Sequence, residues 1–439
     1  MTSADKIYDI VELANKEWKN FALYTVESRA IPNMIDGLKP VQRFYLYSSI
    51  VNSKKIFEKV SAISGVVSKY GYNHGETSCA GAGQLMAADW YNNVVIIESE
   101  GSFGSRLVQE AGAPRYTYTR LHENFYKYYT DFDLSPVHYD PEHLPPTFYV
   151  PIIPMVLING AKGIATGFAT NILPRDEKEV AKACAEYIKT GKIKTTPRVK
   201  FPQFNGTAEF GDDGRLYITG KIVRKNKTEF TVTEVPYGYD REKFVNVLNK
   251  LEDDGVIMSY VDKCDKSGFR FEVKLKQANG GWSDERIIKE LKLQTTETEN
   301  ITVINHEGKL KVYDDVKELI KDFCEYKKTI LQKRIDTKVS EISEEMRWKK
   351  VKMYFIMAVL DDKIKFKNKT KDDVAAQIMK EVKGVKEEDI DKLLRTNIIS
   401  LTSEMVSELA SEILASSETL KFWKDTTVEE QYLSDLKGL

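Results

Sequence analysis

Apolar side chains recur at helical spacing near the start of the chain. Ile7, Ile10, Val11, Leu13 and Ala14 fall in step, with Trp18 and Phe21 on roughly the same side, so residues 5–28 read as one helix. Pro32 closes that segment. Pro40 opens a second helix, Val41 to Val51, at a first-turn position where proline is tolerated. Residues 56–69 and 75–90 have the pattern of a third and a fourth helix, and 94–120 is β-rich. Short helices in series followed by strands fit a winged helix-turn-helix, and on pattern alone fit an unspecialised α+β domain equally well. Residues 121–175 carry aromatics and prolines, and 176–190 turns helical. The alternation Glu229-Phe230-Thr231-Val232-Thr233-Glu234-Val235 predicts a strand, with turn signals at Asn205-Gly206 and Asp213-Gly214. A sheet-containing α/β unit therefore extends to about residue 312.

The last third changes character. From Lys309 to Lys383 there is no Gly and no Pro, and Ile335, Val339, Ile342 and Met346 form a short heptad stripe. A charged cluster, Lys363 to Asp373, interrupts it, and Met405, Leu409 and Ile413 resume the apolar period. Two long helices joined by a small apolar knob make an antiparallel coiled-coil arm; the alternative is an ordinary helical bundle. A chain of 439 residues is long enough for two or three such units.

Composition narrows the class. The longest apolar run, near Tyr149 to Ile158, is broken by Pro151 and Pro154 and is too short to span a bilayer. The N-terminus has no basic-then-apolar signal pattern, and Cys79, Cys184, Cys264 and Cys324 make no C-x-x-C pair. The chain reads as intracellular, cytoplasmic and without a membrane partner. Net charge is −1, but the balance is uneven. Arg29 to Arg120 holds ten Lys/Arg against seven Asp/Glu, whereas Leu401 to Leu439 holds three Lys against eight Asp/Glu. A polyanion would bind the N-terminal third.

Several chemistries find no motif. The Gly-Lys pairs at 191, 220 and 308 are followed by Ile or Leu, so no phosphate-cradling P-loop is present. H-E-x-x-H and G-x-S-x-G are absent. Asp131-Phe132-Asp133 is a possible pair of metal carboxylates, but Asp-x-Asp is common by chance, and no metal site is assigned.

Three segments carry candidate chemistry. Ser28-Arg29-Ala30-Ile31-Pro32 leads into Asp36-Gly37-Leu38-Lys39-Pro40-Val41-Gln42-Arg43, where Lys39 and Arg43 are four apart and their charges are expected to converge on one anion near a helix N-terminus. Lys69 then precedes Tyr70-Gly71-Tyr72-Asn73-His74-Gly75-Glu76, with His74 before a helix start, placed to donate to a phosphate or move a proton. A glycine-hinged loop, Gly101 to Ser105, leads to Ala113-Pro114-Arg115-Tyr116-Thr117 and on to Arg120. A phenol is a weak nucleophile unless cations stabilise the phenolate, and Arg115 supplies such a charge. The bland readings are a solvated basic face, a structural histidine, and one of 23 tyrosines beside an arginine.

Taken together, these segments resemble the breakage-reunion (gyrase A-like) subunit of type IIA DNA topoisomerases. The family shows Arg-x-(Ile/Leu)-Pro with Asp-Gly-Leu-Lys-Pro, then His-Gly-(Glu/Asp), then Arg-Tyr, in this order. A fourth block, Tyr149 to Gly167, resembles the segment carrying the family's DNA-intercalating isoleucine, which maps to Ile164; core packing is the alternative for that residue. The resemblance implies an α+β multidomain chain: an N-terminal helix (1–28), a winged-helix DNA-cleavage domain (29–150), an α/β tower domain (151–312), and a long antiparallel coiled coil with a helical dimer gate (313–439). It implies that Tyr116 attacks DNA to form a transient 5′-phosphotyrosyl link, that Arg115, Arg29, Lys39, Arg43 and His74 handle the phosphate, and that Ile164, Lys69, Lys162 and Arg120 bind DNA. It further implies a homodimer on double-stranded DNA, with ATP and Mg²⁺ held by separate ATPase and metal-binding (TOPRIM) subunits.

Within the family the motifs lie closer to the eukaryotic enzymes than to gyrase. A chain that begins at the cleavage region and stops after the dimer gate resembles the split enzymes of bacteriophages. Gly81 stands seven residues after His74, where gyrase usually has an acidic residue, which puts gyrase-like drug binding in doubt. Nothing after the coiled coil resembles a DNA-wrapping domain. A non-catalytic winged-helix DNA-binding protein is the rival from another class, and a metal nuclease using Asp131 and Asp133 is a second.

Overall fold

The computed structural model describes residues 13–53, 55–397, 399 and 401–439. Helices and strands are mixed along the chain, which folds into two compact units, Met1–Lys327 with Asp435–Leu439, and Lys328–Ser434. Among the described residues no helix is long and apolar enough to cross a membrane.

The expected first helix lies partly outside the described residues. From Leu13 the chain is helical to Ala30, with wider π-type turns at Leu13–Trp18 and Val26–Ala30 flanking the α-helical Lys19–Thr25. Trp18, Phe21 and Leu23 on this stretch are exposed, while Val26 and Ala30 near its end are buried. The Pro40–Ser48 helix starts where proline predicts it; the Lys39 N–H donates to Gln42 Oε1 at 2.8 Å, which satisfies one free donor of the first turn.

The helix expected over 56–69 is broken. Glu58–Lys59 is a short strand, Val60–Gly65 a helix and Val67–Tyr70 a 3₁₀ turn. Long-range pairing causes the break. Glu58 and Lys59 pair antiparallel with Thr119 and Tyr118, and the N–H groups of Val60 and Ser61 donate to the carbonyls of Thr117 and Pro114. Glu76–Ala87 is helical as its pattern predicts. It packs closely on the Pro40–Ser48 helix: a Cβ added at Gly83 would collide with the ring of buried Tyr45, whose hydroxyl shares a 2.5 Å hydrogen bond with Thr119 Oγ1. Tyr118–Leu121 is the central strand of an antiparallel sheet, between Glu58–Lys59 and Ile97–Glu100. Two helices and this sheet thereby support the 101–117 loop.

Further along, the two-residue alternation is realised. In Glu229–Glu234, Phe230 and Val232 point into a core shared with Phe244 and Leu248 of the Arg241–Asp253 helix, Phe271, and Ile287. This strand belongs to a four-stranded antiparallel sheet, and Leu216–Thr219 to a three-stranded one. Glu234 is buried because Arg106 pairs with it at 3.1 Å. Residues 310–313 are not helical despite lacking Gly and Pro. Leu310–Tyr313 forms a ladder with Ile301–Ile304, and the long helix begins only at Val316, running to Leu360.

In the second unit, Val351, Phe355, Ile356, Val374, Ile378, Leu393 and Leu409 are buried together. A bidentate pair, Arg347 to Asp389 at 2.7 and 3.1 Å, joins the long helix to the Glu387–Leu394 helix. Met405 and Leu409, from the second apolar-periodic segment, lie on the Ser403–Asp425 helix and pack into this core. Lys349 reaches Glu412 of the same helix at 3.1 Å.

Candidate nucleic-acid interface

Tyr116 sits on a ridge clamped from below. Beyond the Thr117 and Pro114 carbonyls held by the Val60–Gly65 helix, Gln84 Nε2 donates to the Gly112 carbonyl at 2.7 Å and to Thr117 Oγ1 at 3.1 Å. Gly112 N–H donates to the Ser102 carbonyl at 2.9 Å, and the Tyr116 N–H closes a turn onto Ala113. Gly101 passes beneath with φ +110°, where a side chain would be strained. Thr117 is buried, while Tyr116 is 68% exposed. The Arg115 guanidinium carbon stands 4.8 Å from the Tyr116 ring centroid, so a fixed positive charge lies beside an accessible phenol.

A second cluster forms at the start of the Glu76–Ala87 helix. Arg29 Nη2 lies 3.3 Å from His74 Nδ1, and Tyr24 Oη lies 2.6 Å from His74 Nε2. Burial and then the Arg29 charge hold the His74 imidazole below its ordinary range. The Tyr72 ring packs edge-on against His74 at 5.5 Å.

A third group is a β-hairpin, Ala161–Ile164 with Ala169–Ile172. Lys39 Nζ donates to the Lys162 carbonyl at 2.7 Å, and burial lowers the Lys39 ammonium pKa. A Cβ at Gly163 would strike the Ala30 carbonyl, so the hairpin lies directly on the segment that carries Arg29. Val26, Ala30 and Ile31 are buried against Ala165, which fixes the base of the tip. The tip presents Ile164, 89% exposed, and Phe168, also exposed. Core packing is therefore not the role of Ile164. Lys162 is exposed and pairs with Glu297 at 2.8 Å. Lys69 is exposed on the Val67–Tyr70 turn.

Two expected site residues are placed differently. Arg43 does not converge with Lys39 on a surface anion. It is buried and bidentate to Asp36, Nε to Oδ2 at 2.7 Å and Nη2 to Oδ1 at 3.1 Å, and it donates to the Leu38 carbonyl at 2.6 Å. Asp36 also accepts from the N–H groups of Leu38 and Tyr149, so this charge is consumed by the fold. Arg120 is committed across the sheet to Glu98, at 2.7 and 2.9 Å, with its guanidinium 4.3 Å from the Phe57 ring centroid. Its hydrogen bond lowers the Glu98 pKa and raises that of Arg120. Asp131 is buried against Lys327 at 2.7 Å, so it does not face a site shared with exposed Asp133. Among the described residues no three His, Cys, Asp or Glu side chains gather to hold a metal ion.

The structure brings Arg29 to His74, Lys39 to Lys162, and Arg115 to Tyr116. Among the described residues no hydrogen bond or ion pair joins the last pair to the first two. The Glu76–Ala87 helix relates them: His74 precedes it, and Gln84, reaching the tyrosine loop, follows His74 by ten residues, about 15 Å along a helical rise. Sequence reasoning missed Gln84 and Tyr24. Both contact the site through long-range hydrogen bonds, for which the chain offers no local signal.

A histidine pair lines the same cavity as His74. His138 and His143 stack at 3.7 Å, His143 also packs on Phe44, and its Nδ1 lies 3.1 Å from the Pro145 carbonyl. Burial first, then His138, lowers the His143 pKa to about 4; burial lowers His138 too, and Arg43 opposes protonation of both. A folded-state value below the ordinary 6.5 means the unfolded chain takes up the proton first as pH falls. The stability from neutral His143 is complete above about pH 6.5 and is lost toward pH 4. After allowance for solvent screening of a half-buried ring, lowering the pH from 7 to 5 is expected to cost on the order of 1 kcal/mol. Urea unfolding of His143→Phe should show a flatter dependence over that interval, which lies above most carboxylate titration.

Known proteins share this sequence and fold. A family model for the A-type subunit of DNA gyrase and topoisomerase IV matches residues 29–437. The chain is 42% identical over 440 residues to a protein named DNA topoisomerase medium subunit from Enterobacteria phage T4, covering 98% of each. It is 28% identical to DNA topoisomerase 2 of Arabidopsis thaliana, covering 98% of this chain and 33% of that one. The chain thus spans about a third of such longer relatives. Among solved structures, the Plasmodium falciparum topoisomerase II DNA-binding, cleavage and re-ligation domain superposes with a TM-score of 0.87 at 25% identity, covering 97% of this chain and 63% of that one.

Proposed function

This chain belongs to the family of A-type subunits of DNA gyrase and topoisomerase IV, and from that premise we propose that it is the DNA-cleaving and religating subunit of an ATP-dependent type II DNA topoisomerase. The observation that carries the reading is the exposed Tyr116 on a clamped loop beside Arg115. Tyr116 Oη attacks a backbone phosphorus. The P–O3′ bond breaks, a 5′-phosphotyrosyl ester forms, and the 3′-oxygen leaves as a hydroxyl. The ester conserves the bond energy, so resealing is the reverse attack and needs no fuel. Arg115 stabilises the charge that develops on the phosphoryl oxygens.

Arg29, Lys39 and His74 form the phosphate-binding group of the same proposal, with Lys69 and Lys162 as further backbone contacts. Arg43 and Arg120 drop out of it as free cations, because carboxylates already hold them. Ile164 is a wedge between base pairs; a nearly bare apolar side chain on a braced hairpin supports that role. The domain division belongs to this reading too: an N-terminal helix (1–28), a winged helix (29–150), a tower (151–312), and a coiled coil with a dimer gate (313–439). The three-stranded sheet beside three helices, the sheet-rich middle and the 45-residue Val316–Leu360 helix support it.

Duplex passage by this chemistry needs two Tyr116 residues, one per strand, and hence a homodimer on double-stranded DNA. Mg²⁺, when bound, supplies Lewis-acid stabilisation of the same phosphate. The described carboxylates of this chain do not fit it, so we place it on a separate TOPRIM chain, with ATP on an ATPase chain. A full-length relative named a medium subunit supports assembly from separate chains.

The test is adduct trapping. The assembled complex is incubated with labelled duplex and denatured with detergent, and protein-linked DNA is digested and sequenced by mass spectrometry. A phosphonucleotide on Tyr116 is expected. Free 5′-phosphate ends without any adduct would instead indicate a metal nuclease, and binding without cleavage a DNA-binding protein; either result overturns the proposal.

A further inference from the structure

The loop that presents Tyr116 is held from a second side. Its outgoing arm passes Gly101 and Gly104, both with positive φ, and folds back where the Ser105 N–H donates to the Val108 carbonyl at 2.7 Å. Arg106 and Leu107 occupy that bend. The chain then returns through Gly112 to Tyr116, with the Gly112 N–H on the Ser102 carbonyl. Arg106 is 6% exposed, too deep for its guanidinium to contact DNA.

Among the described residues, the partners of that guanidinium come from the sheet-rich middle of the chain. Nη2 donates to Glu234 Oε1 at 3.1 Å, and Nη1 to the Gln203 carbonyl at 3.1 Å. Gln203 is held at φ +48°, a left-handed conformation uncommon for a residue with a side chain. The guanidinium carbon stands 4.8 Å from the Tyr237 ring centroid and 5.5 Å from those of Phe204 and Phe269. A flat cation suits a place among three rings, because its delocalised charge is weakly hydrated and is attracted to their faces. Beside it, Leu107 packs on the core around Phe230 and Phe271. Its carbonyl accepts at 3.1 Å from the Arg241 N–H, one of the donors left free at the start of the Arg241–Asp253 helix. A further link runs through Trp90: Tyr237 Oη donates to the Trp90 carbonyl at 3.3 Å, and Trp90 Nε1 donates to the Phe103 carbonyl at 2.9 Å. The loop therefore has two supports. The Val60–Gly65 helix and Gln84 hold the return arm, and the sheet-rich middle holds the bend.

We propose that Arg106 is a positioning residue for Tyr116: it seats the bend of the nucleophile's loop in an aromatic socket, which fixes where the phenol stands against the scissile phosphate. The inference rests on the reading of Tyr116 as the nucleophile. A loop supported on one side only lets the phenol stray, and an error of about 1 Å at a reacting atom costs up to about a hundredfold in rate.

The test uses the assembled complex and a labelled duplex nicked just to the 5′ side of the mapped cut. After attack, the short strand bearing the 3′-hydroxyl dissociates and resealing cannot follow. The amplitude of adduct then counts folded enzyme, and the rate constant at saturating DNA reports the attack. Arg106→Lys keeps a cation opposite Glu234 but loses the flat fork that fits three rings and a carbonyl. It should bind DNA within about twofold of wild type, reach the wild-type amplitude, and attack about ten- to a hundredfold more slowly. Phe269→Leu opens one wall of the socket and leaves the ion pair in place. It should slow the same step by a smaller factor, and it decides alone if Arg106→Lys does not fold. A wild-type rate constant in Arg106→Lys overturns the proposal. So does a loss confined to amplitude, which marks a structural role, or one confined to DNA affinity. If wild type forms no adduct on Tyr116, the reading of the subunit fails first; if it does and the variants attack at the wild-type rate, only Arg106 is reassigned.

Discussion

Replacing Tyr116 by phenylalanine should abolish the covalent protein–DNA adduct, a loss on the order of 10⁴-fold or more in cleavage, because the substitution removes the nucleophile itself. DNA binding and thermal stability should stay close to wild type. The expectation follows from how the loop is held. Its anchors are the carbonyls of Gly112, Pro114 and Thr117 and the Thr117 hydroxyl, and none involves the Tyr116 phenol. The ring is exposed and keeps its place beside Arg115 in the variant. Detergent-trapped adduct, equilibrium DNA binding and a melting curve on the same preparation separate loss of chemistry from loss of fold. Residual adduct at a few per cent of wild type would mean that another side chain attacks the phosphate.

Asp36→Ala should be the most damaging single change to the first compact unit. Asp36 is 1% exposed and receives four hydrogen bonds: two from Arg43 and one each from the Leu38 and Tyr149 N–H groups. Truncation leaves a buried guanidinium without its counter-ion and two backbone donors without acceptors. Breaking a buried pair in this way costs about 3–5 kcal/mol, more than the net worth of the intact pair. The companion experiment makes the argument specific. Combining Asp36→Leu with Arg43→Met removes both charges, and should recover part of the loss in urea unfolding because no charge is stranded. A cost below about 1 kcal/mol for Asp36→Ala would show that Arg43 is free to leave the interior.

The Arg43 case shows where reading along the chain stops. Four-residue spacing from Lys39 is a correct statement about helical geometry, but it does not say which side of the helix faces solvent. That is settled by Asp36, seven residues earlier, and by the Tyr149 N–H, brought from 113 residues away. Lys39 goes the other way because its Nζ finds the Lys162 carbonyl at the base of the exposed hairpin. The 56–69 segment illustrates the same limit: its apolar spacing suits a helix, but the first N–H groups are satisfied by the Thr117 and Pro114 carbonyls, and the residues before them join a sheet.

What the amino-acid order determined by itself was local or cumulative. Alternation at 229–235 specified a strand, and the Gly- and Pro-free run allowed a helix from Val316 to Leu360, because side-chain period and backbone freedom are properties of neighbours. Four ordered motifs were enough to identify the family, and the proposal of Tyr116 as the nucleophile among 23 tyrosines rests on them. Tertiary structure alone decided which cations stay available. The carboxylates of Asp36 and Glu98 reach Arg43 and Arg120 through a turn and a sheet register, which buries the first guanidinium and ties the second across the sheet. It also decided that Tyr24 meets His74 across 50 residues, because a hydrogen bond depends on distance and direction, which only the packed chain supplies.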